Sequence, residues 1–167
     1  ETASRAELQR LFLRRIRLST MDARLHAEMR EEQEIKIPAE IRDWVAKLPE
    51  VKEIVDSQLM TFTARRNNLS SDIKSIDESI KALNERIRGS QVQLDAVRRQ
   101  IVLLDEEIET KDRLVQAGLV RKPELMVLQR QKANLEGEVG RIMGDIGDAK
   151  ERIARAVEQI NGVRKTA

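Results

Sequence analysis

Cysteine and tyrosine are absent from the 167 residues, and histidine and tryptophan occur once each. No disulfide framework, thiol nucleophile or cysteine zinc site is available, and with His26 as the one imidazole a Ser/His/Asp triad has almost no raw material. Three rings, Phe12, Trp44 and Phe62, are too little aromatic mass for an ordinary globular core. Proline stands only at positions 38, 49 and 123, so helix can run unbroken between them. No uncharged run approaches bilayer-spanning length, so no direct membrane insertion is expected of this chain. The opening Glu1-Thr2-Ala3-Ser4-Arg5 lacks the basic and apolar regions of a signal peptide. A start without Met and an end at Val163-Arg164-Lys165-Thr166-Ala167, with no helix stop, read as a segment of a longer protein.

What is abundant is charge, 36% of residues, balanced to a net +2, together with Ala, Val, Ile and Leu. That profile belongs to long helices and coiled coils. The expected fold is all-α, a long antiparallel coiled-coil hairpin with an additional N-terminal helix.

In residues 1–33, Leu8, Leu11, Leu18, Leu25 and Met29 recur at helical spacing and predict an amphipathic first helix. Residues 34–48 form a connector, extended at Ile35-Lys36-Ile37-Pro38 and carrying a short helix after Pro38. Pro49-Glu50 places proline at a first helical position and acid in the first turn, opening an outgoing helix over 49–117. Within it Ile73, Ile80, Ile87, Leu94, Ile101, Ile108 and Val115 fall seven apart, interleaved with Leu69, Ile76, Leu83, Ser90, Val97, Leu104 and Lys111. These are a and d positions of a heptad repeat. Gly118 can take the left-handed conformation that ends a helix, which makes 118–122 a turn. A second series follows in the returning helix, 123–167. Leu125, Val139, Ile146, Ile153 and Ile160 alternate with Leu128, Leu135, Ile142, Ala149, Ala156 and Val163, with Lys132 intruding. So short a connection makes the two long helices antiparallel neighbours with facing seams. Lys111 and Lys132 lie near the turn, where long side chains reach water. The first third of the outgoing helix has no counterpart on the returning one, and the first helix folding back, or a continuation of the returning helix, would cover it.

Few side chains suggest chemistry. His26 lies among Arg and Glu with no second ligand, as a solvated surface residue, and Trp44 is expected to anchor the connector on the helices, the alternative being a partner-binding hot spot. Arg14, Arg15 and Arg17 cluster, but acidic neighbours nearly balance them and stacking rings are scarce, so nucleic-acid recognition is not supported. Glu31-Glu32 and Glu106-Glu107 have no pocket-forming sequence around them and are expected to stay ionised in water. The chain is read as a non-enzyme that needs no cofactor and no metal. Gly137, Gly140, Gly144 and Gly147 fall at f and b positions, away from the seam, with Ala133 and Ala154 extending the stripe. Each glycine costs roughly 1 kcal/mol in a helix interior. The stripe is read either as a surface on which a neighbouring protomer's helix approaches closely or as a tolerated, flexible stretch.

The turn reads Leu114-Val115-Gln116-Ala117-Gly118-Leu119-Val120-Arg121-Lys122-Pro123-Glu124-Leu125, followed by Leu135-Glu136-Gly137-Glu138. With the long heptad helix before it and Pro49-Glu50-Val51 at that helix's start, this resembles the membrane fusion proteins, or periplasmic adaptors, of type I secretion systems, the haemolysin-D-like group. The resemblance implies a hairpin that projects through the Gram-negative periplasm from an inner-membrane-anchored protein. It further implies an ABC-transporter partner in the inner membrane, a homo-oligomeric tube, a hexamer in the family, and a tip that touches a TolC-like outer-membrane channel. The family's tip pattern is Arg, then Leu four residues on, then Ser or Thr seven after that. Here those places hold Thr110, Leu114 and Arg121, so only the Leu matches. The missing hydroxyl would have capped the return helix in a box with Glu124.

The expected channel-contact set is Leu114, Leu119, Val120, Arg121 and Lys122, on a tip made basic by Lys111 and Arg113 as well. The alternative for Leu119 and Val120 is that they close the end of the hairpin core. Two other functions compete: a structural, cytoskeletal-type coiled-coil oligomer, and the adaptor of a small-molecule efflux pump.

Overall fold

The computed structural model describes the backbone of residues 2–166 and the side chains of residues 4–165. Among the described residues the chain is all-α, with no strand, in four helices: α1 (Thr2–Met29), α2 (Ala39–Val45), α3 (Pro49–Gln116) and α4 (Lys122–Thr166). Contacts divide it into two compact units. One holds α1, α2 and α3 up to Ser75 together with the chain from Asn161; the other runs from Ile76 to Ile160.

In the first unit α1 stops at Met29, short of the expected end at 33. Glu31 takes a left-handed conformation at φ 52°. The Glu31 N–H then donates to the Glu28 carbonyl at 3.1 Å and the Glu32 N–H to Ala27 at 2.9 Å, the paired bonds of a Schellman termination. A side chain other than glycine in that region costs about 1 kcal/mol, and neither Gly nor Pro in the sequence marks the site. The segment that follows carries no helix until α2, where Pro38, at ψ 142°, takes the N-cap place. The connector turns the chain back, so that α1 and α3 run parallel: Gln9 bonds Glu50, Arg24 bonds Gln58 and Glu28 pairs with Arg65.

The inner face of α1 differs from the one its leucines predict. Leu8, Leu11, Leu18, Leu25 and Met29 are exposed, and the buried positions are Ile16, Thr20, Arg24 and Ala27. Ile16 joins Ile41, Val51 and Val55 in one cluster, flanked by Phe12, Leu13 and Leu48; Ala27 joins Ile35 and Phe62 in another. Small and β-branched side chains let α1 approach α3 closely, whereas leucine spacing alone points to the opposite side of the helix. Trp44 stands edge-on to Phe12, with ring centroids 5.2 Å apart, and Lys47 lies 5.5 Å from the Trp44 ring centroid. The connector is therefore held to α1 by an aromatic contact.

Two polar groups inside this interface are fully engaged. The Thr20 hydroxyl donates to the Ile16 carbonyl at 2.8 Å. Arg24 donates to Glu28 at 2.6 Å and to Gln58 at 2.9 Å, and Arg65 reaches the second Glu28 oxygen at 3.4 Å. The Arg24 and Glu28 side chains are only 6% and 9% exposed. Four charged and polar side chains thus bind α1 to α3 in one parallel alignment.

In the second unit α3 and α4 run antiparallel along facing heptad positions. Leu94, Val97 and Ile142 form the buried centre, flanked by Ile101, Leu135, Val139 and Ile146. Burial extends to Ile87 and Leu104 on α3 and to Leu125 and Ala149 on α4. Ile80, Ile108 and Ile153 are half-buried, as is Ile73 in the first unit. Half-burial of the flanking seam positions follows from the architecture, because two helices cover only part of each other and a third is needed to close the groove.

Candidate functional site

The hairpin's turn is built by one glycine. Gly118 has φ 75°, its N–H donates to the Val115 carbonyl at 3.0 Å, and the Leu119 N–H reaches back to Leu114 at 2.9 Å. This Schellman closure ends α3 and turns the chain outward, so that Leu119 stands 74% exposed. Val120 is half-buried, while Leu114, Arg121 and Lys122 are exposed. Helix α4 begins at Lys122, one residue before Pro123, which fits because a proline in the first turn withholds an N–H that would have had no intrahelical partner.

Charges at the turn divide into paired and unpaired. Lys111 lies 3.7 Å from Glu124 across the turn and Arg113 lies 3.1 Å from Glu109 within α3. The Gln116 amide donates to Asp112 at 2.8 Å and the Thr110 hydroxyl to the Glu106 carbonyl at 2.9 Å. Arg121 and Lys122 make no ion pair among the described residues. The basic character expected of four side chains is thereby concentrated in two, next to exposed Leu119. Because Arg121 stands where a capping hydroxyl would, Glu124 turns to Lys111 instead of completing a capping box.

Lys132, the charged intruder in the seam, is half-buried and donates to Asp105 at 2.6 Å, with Glu136 at 3.8 Å. The hydrogen bond to Asp105 raises its pKa above the usual lysine value. Its charged form is therefore favoured in the fold at neutral pH, and that contribution is lost only as pH rises through the lysine range. Both seam lysines meet a carboxylate and do not simply extend into water.

Gly137, Gly140, Gly144 and Gly147 are exposed along α4, and a Cβ built on any of them meets nothing within 4 Å. Beside them Arg141 bridges Glu138, at 2.9 Å, and Asp145, at 3.1 Å. The hydrogen bond from Arg141 holds the Glu138 carboxyl below the usual carboxylate range. The tip set and the glycine stripe are separate along the hairpin. The Arg24–Glu28–Gln58–Arg65 network escaped the sequence reading, because an i, i+4 Arg–Glu pair looks the same on a solvated face as on a buried one.

Among the described residues no group of His, Cys, Asp or Glu is arranged to hold a metal ion. No helix among them is long and apolar enough to cross a membrane.

The family model for the AprE long alpha-helical hairpin matches residues 4–167. The type I secretion system membrane fusion protein PrsE of Rhizobium meliloti (strain 1021) is 30% identical over 119 residues, 71% of this chain and 27% of PrsE. The chain thus spans about a quarter of that relative's length. The crystal structure of the soluble domain of LipC, a membrane fusion protein of a type I secretion system, superposes with a TM-score of 0.88 at 22% identity. That match covers 95% of this chain and 74% of LipC's, and it shows a shared fold. The resemblance carried by the turn and the heptads holds at the level of the family: this chain belongs to the AprE long α-helical hairpin family.

Proposed function

We propose that the chain is the periplasmic hairpin of a type I secretion membrane fusion protein, a non-catalytic adaptor that bridges an inner-membrane ABC transporter to a TolC-like outer-membrane channel. The observation that carries this reading is the turn itself, where Gly118 presents Leu119 to solvent beside the unpaired cations Arg121 and Lys122. An exposed leucine beside two free cations suits docking onto a surface of helix C-termini and turn carbonyls, which carry partial negative charge. Leu114, Leu119, Val120, Arg121 and Lys122 are the channel-contact set in this reading. The PrsE and LipC descriptions, both of type I secretion membrane fusion proteins, favour protein export over small-molecule efflux. Protomers of the adaptor, six by family resemblance, meet side by side along the hairpins, with the stripe of Gly137, Gly140, Gly144 and Gly147 in that contact.

Leu119→Asp and Arg121→Glu test the tip assignment by secretion of the system's cargo from whole cells. Both residues are exposed, so the helical circular dichroism of each variant is expected to match the parent. Export is expected to fall about tenfold in each, the equivalent of roughly 1.4 kcal/mol of lost docking. Normal export by both variants overturns the tip assignment.

A further inference from the structure

We propose that in the assembled protein the outer face of α3 in one protomer, over 88–107, packs on the outer face of α4 in the next, over 130–148, with the two hairpins level. The inference rests on the side-by-side assembly above for the existence of a neighbour, and adds which faces meet and at what height.

Val92 and Leu103 are each 66% exposed on α3. They lie eleven residues apart, about three helical turns, which keeps them on one face. Half-buried Ala96 stands between them. Nothing among the described residues of the single chain covers this apolar face, and its occupant is identified by height and charge. The Asp105–Lys132 ion pair and the packing of Leu94 and Val97 on Ile142 fix which residues of the two helices stand level. On that scale Val92 is level with Gly144, Ala96 with Gly140 and Leu103 with Ala133. A cyclic assembly whose axis runs along the hairpin preserves height from one protomer to the next, and its contacts are heterologous, α3 against α4. The α3 side chains would then face positions of α4 where a Cβ meets nothing within 4 Å at the glycines.

Charge supports this occupant over the alternatives. Glu106 is level with Arg130, Asp95 with Arg141 and Arg88 with Asp148, and Arg99 stands within one residue of Glu138, so at these four places the sign alternates along α3 and is opposed on α4. Two α3 faces brought together at one height would set each charge against itself. Exposed pairs add little energy, but such an order selects the partner face and its alignment. Farther from the turn the order weakens: Lys81 is level with Arg155, and Glu85 lies beside both Glu151 and Arg152. The opposed charges therefore favour a contact in the part of the hairpin nearer the turn.

Disulfide trapping tests this directly, since the chain has no cysteine of its own. Cells co-express two versions of the protein at its natural length, one with Val92→Cys and one with Gly144→Cys, and export is followed in the same cells. The expected product is the mixed disulfide, at least about tenfold over either like-with-like disulfide. Adding Arg99→Glu to the first version is expected to lower that yield about threefold, and Glu138→Arg in the second to recover part of the loss. A mixture dominated by like-with-like disulfides, or no disulfide from folded and exporting protein, overturns the contact and leaves the transport reading standing. A mixed disulfide in cells whose export does not depend on this protein supports the contact and removes the transport reading.

Discussion

Replacing Ile142 with Ala is expected to destabilise the hairpin by about 3 kcal/mol, measured by urea unfolding followed through helical circular dichroism. Ile142 is 1% exposed and sits where Leu94 and Val97 of α3 close on α4. Truncation removes three methylene equivalents from that seat, and a two-helix interface has no third layer that can move in to refill it. The same experiment on Leu103→Ala, which removes a side chain pointing to water in the single chain, is expected to change stability by less than about 0.5 kcal/mol. Equal losses at the two positions would contradict the assignment of inner and outer faces.

The second large effect lies in the unit that holds α1. Glu28→Ala is expected to cost about 3 kcal/mol, because it leaves the Arg24 guanidinium buried without its anion. Arg24 retains only its bond to Gln58 in that variant. Removing both charges together, as Arg24→Met with Glu28→Leu, is expected to leave stability within about 1 kcal/mol of the parent, since the burial cost of both ions disappears with their attraction. The two outcomes separate a network that aligns α1 with α3 from one that supplies net stability. A double variant as unstable as Glu28→Ala would show that the ion pair itself holds the interface.

The all-α class and the hairpin were legible because a seven-residue spacing of Ile, Leu and Val is a geometric statement about one helix face, repeated too often on each side of Gly118 to be misread. Gly118 was legible for a related reason: a left-handed residue between two long helices is most easily a glycine. Glu31 ends α1 by the same geometry without the same residue, and its place could not be seen in the sequence. The leucines of α1 face outward because the side carrying Ile16, Thr20 and Ala27, one β-branched and two small side chains, suits a close parallel approach to α3, and leucine spacing alone does not rank the two sides. Which charges at the turn are free was hidden as well. The pairing of Lys111 with Glu124 depends on how the chain crosses the turn, not on either residue's neighbours in sequence.

The central claim, that this turn is the end that docks on an outer-membrane channel, is tested most directly by a photo-reactive side chain introduced at Leu119 in the full-length protein in living cells. Cross-linking to a single outer-membrane protein, abolished by Arg121→Glu and absent when the probe is moved to Leu103, is the result this account predicts. Cross-links from Leu119 only to copies of the same chain or to inner-membrane proteins, in cells that secrete normally, would contradict it.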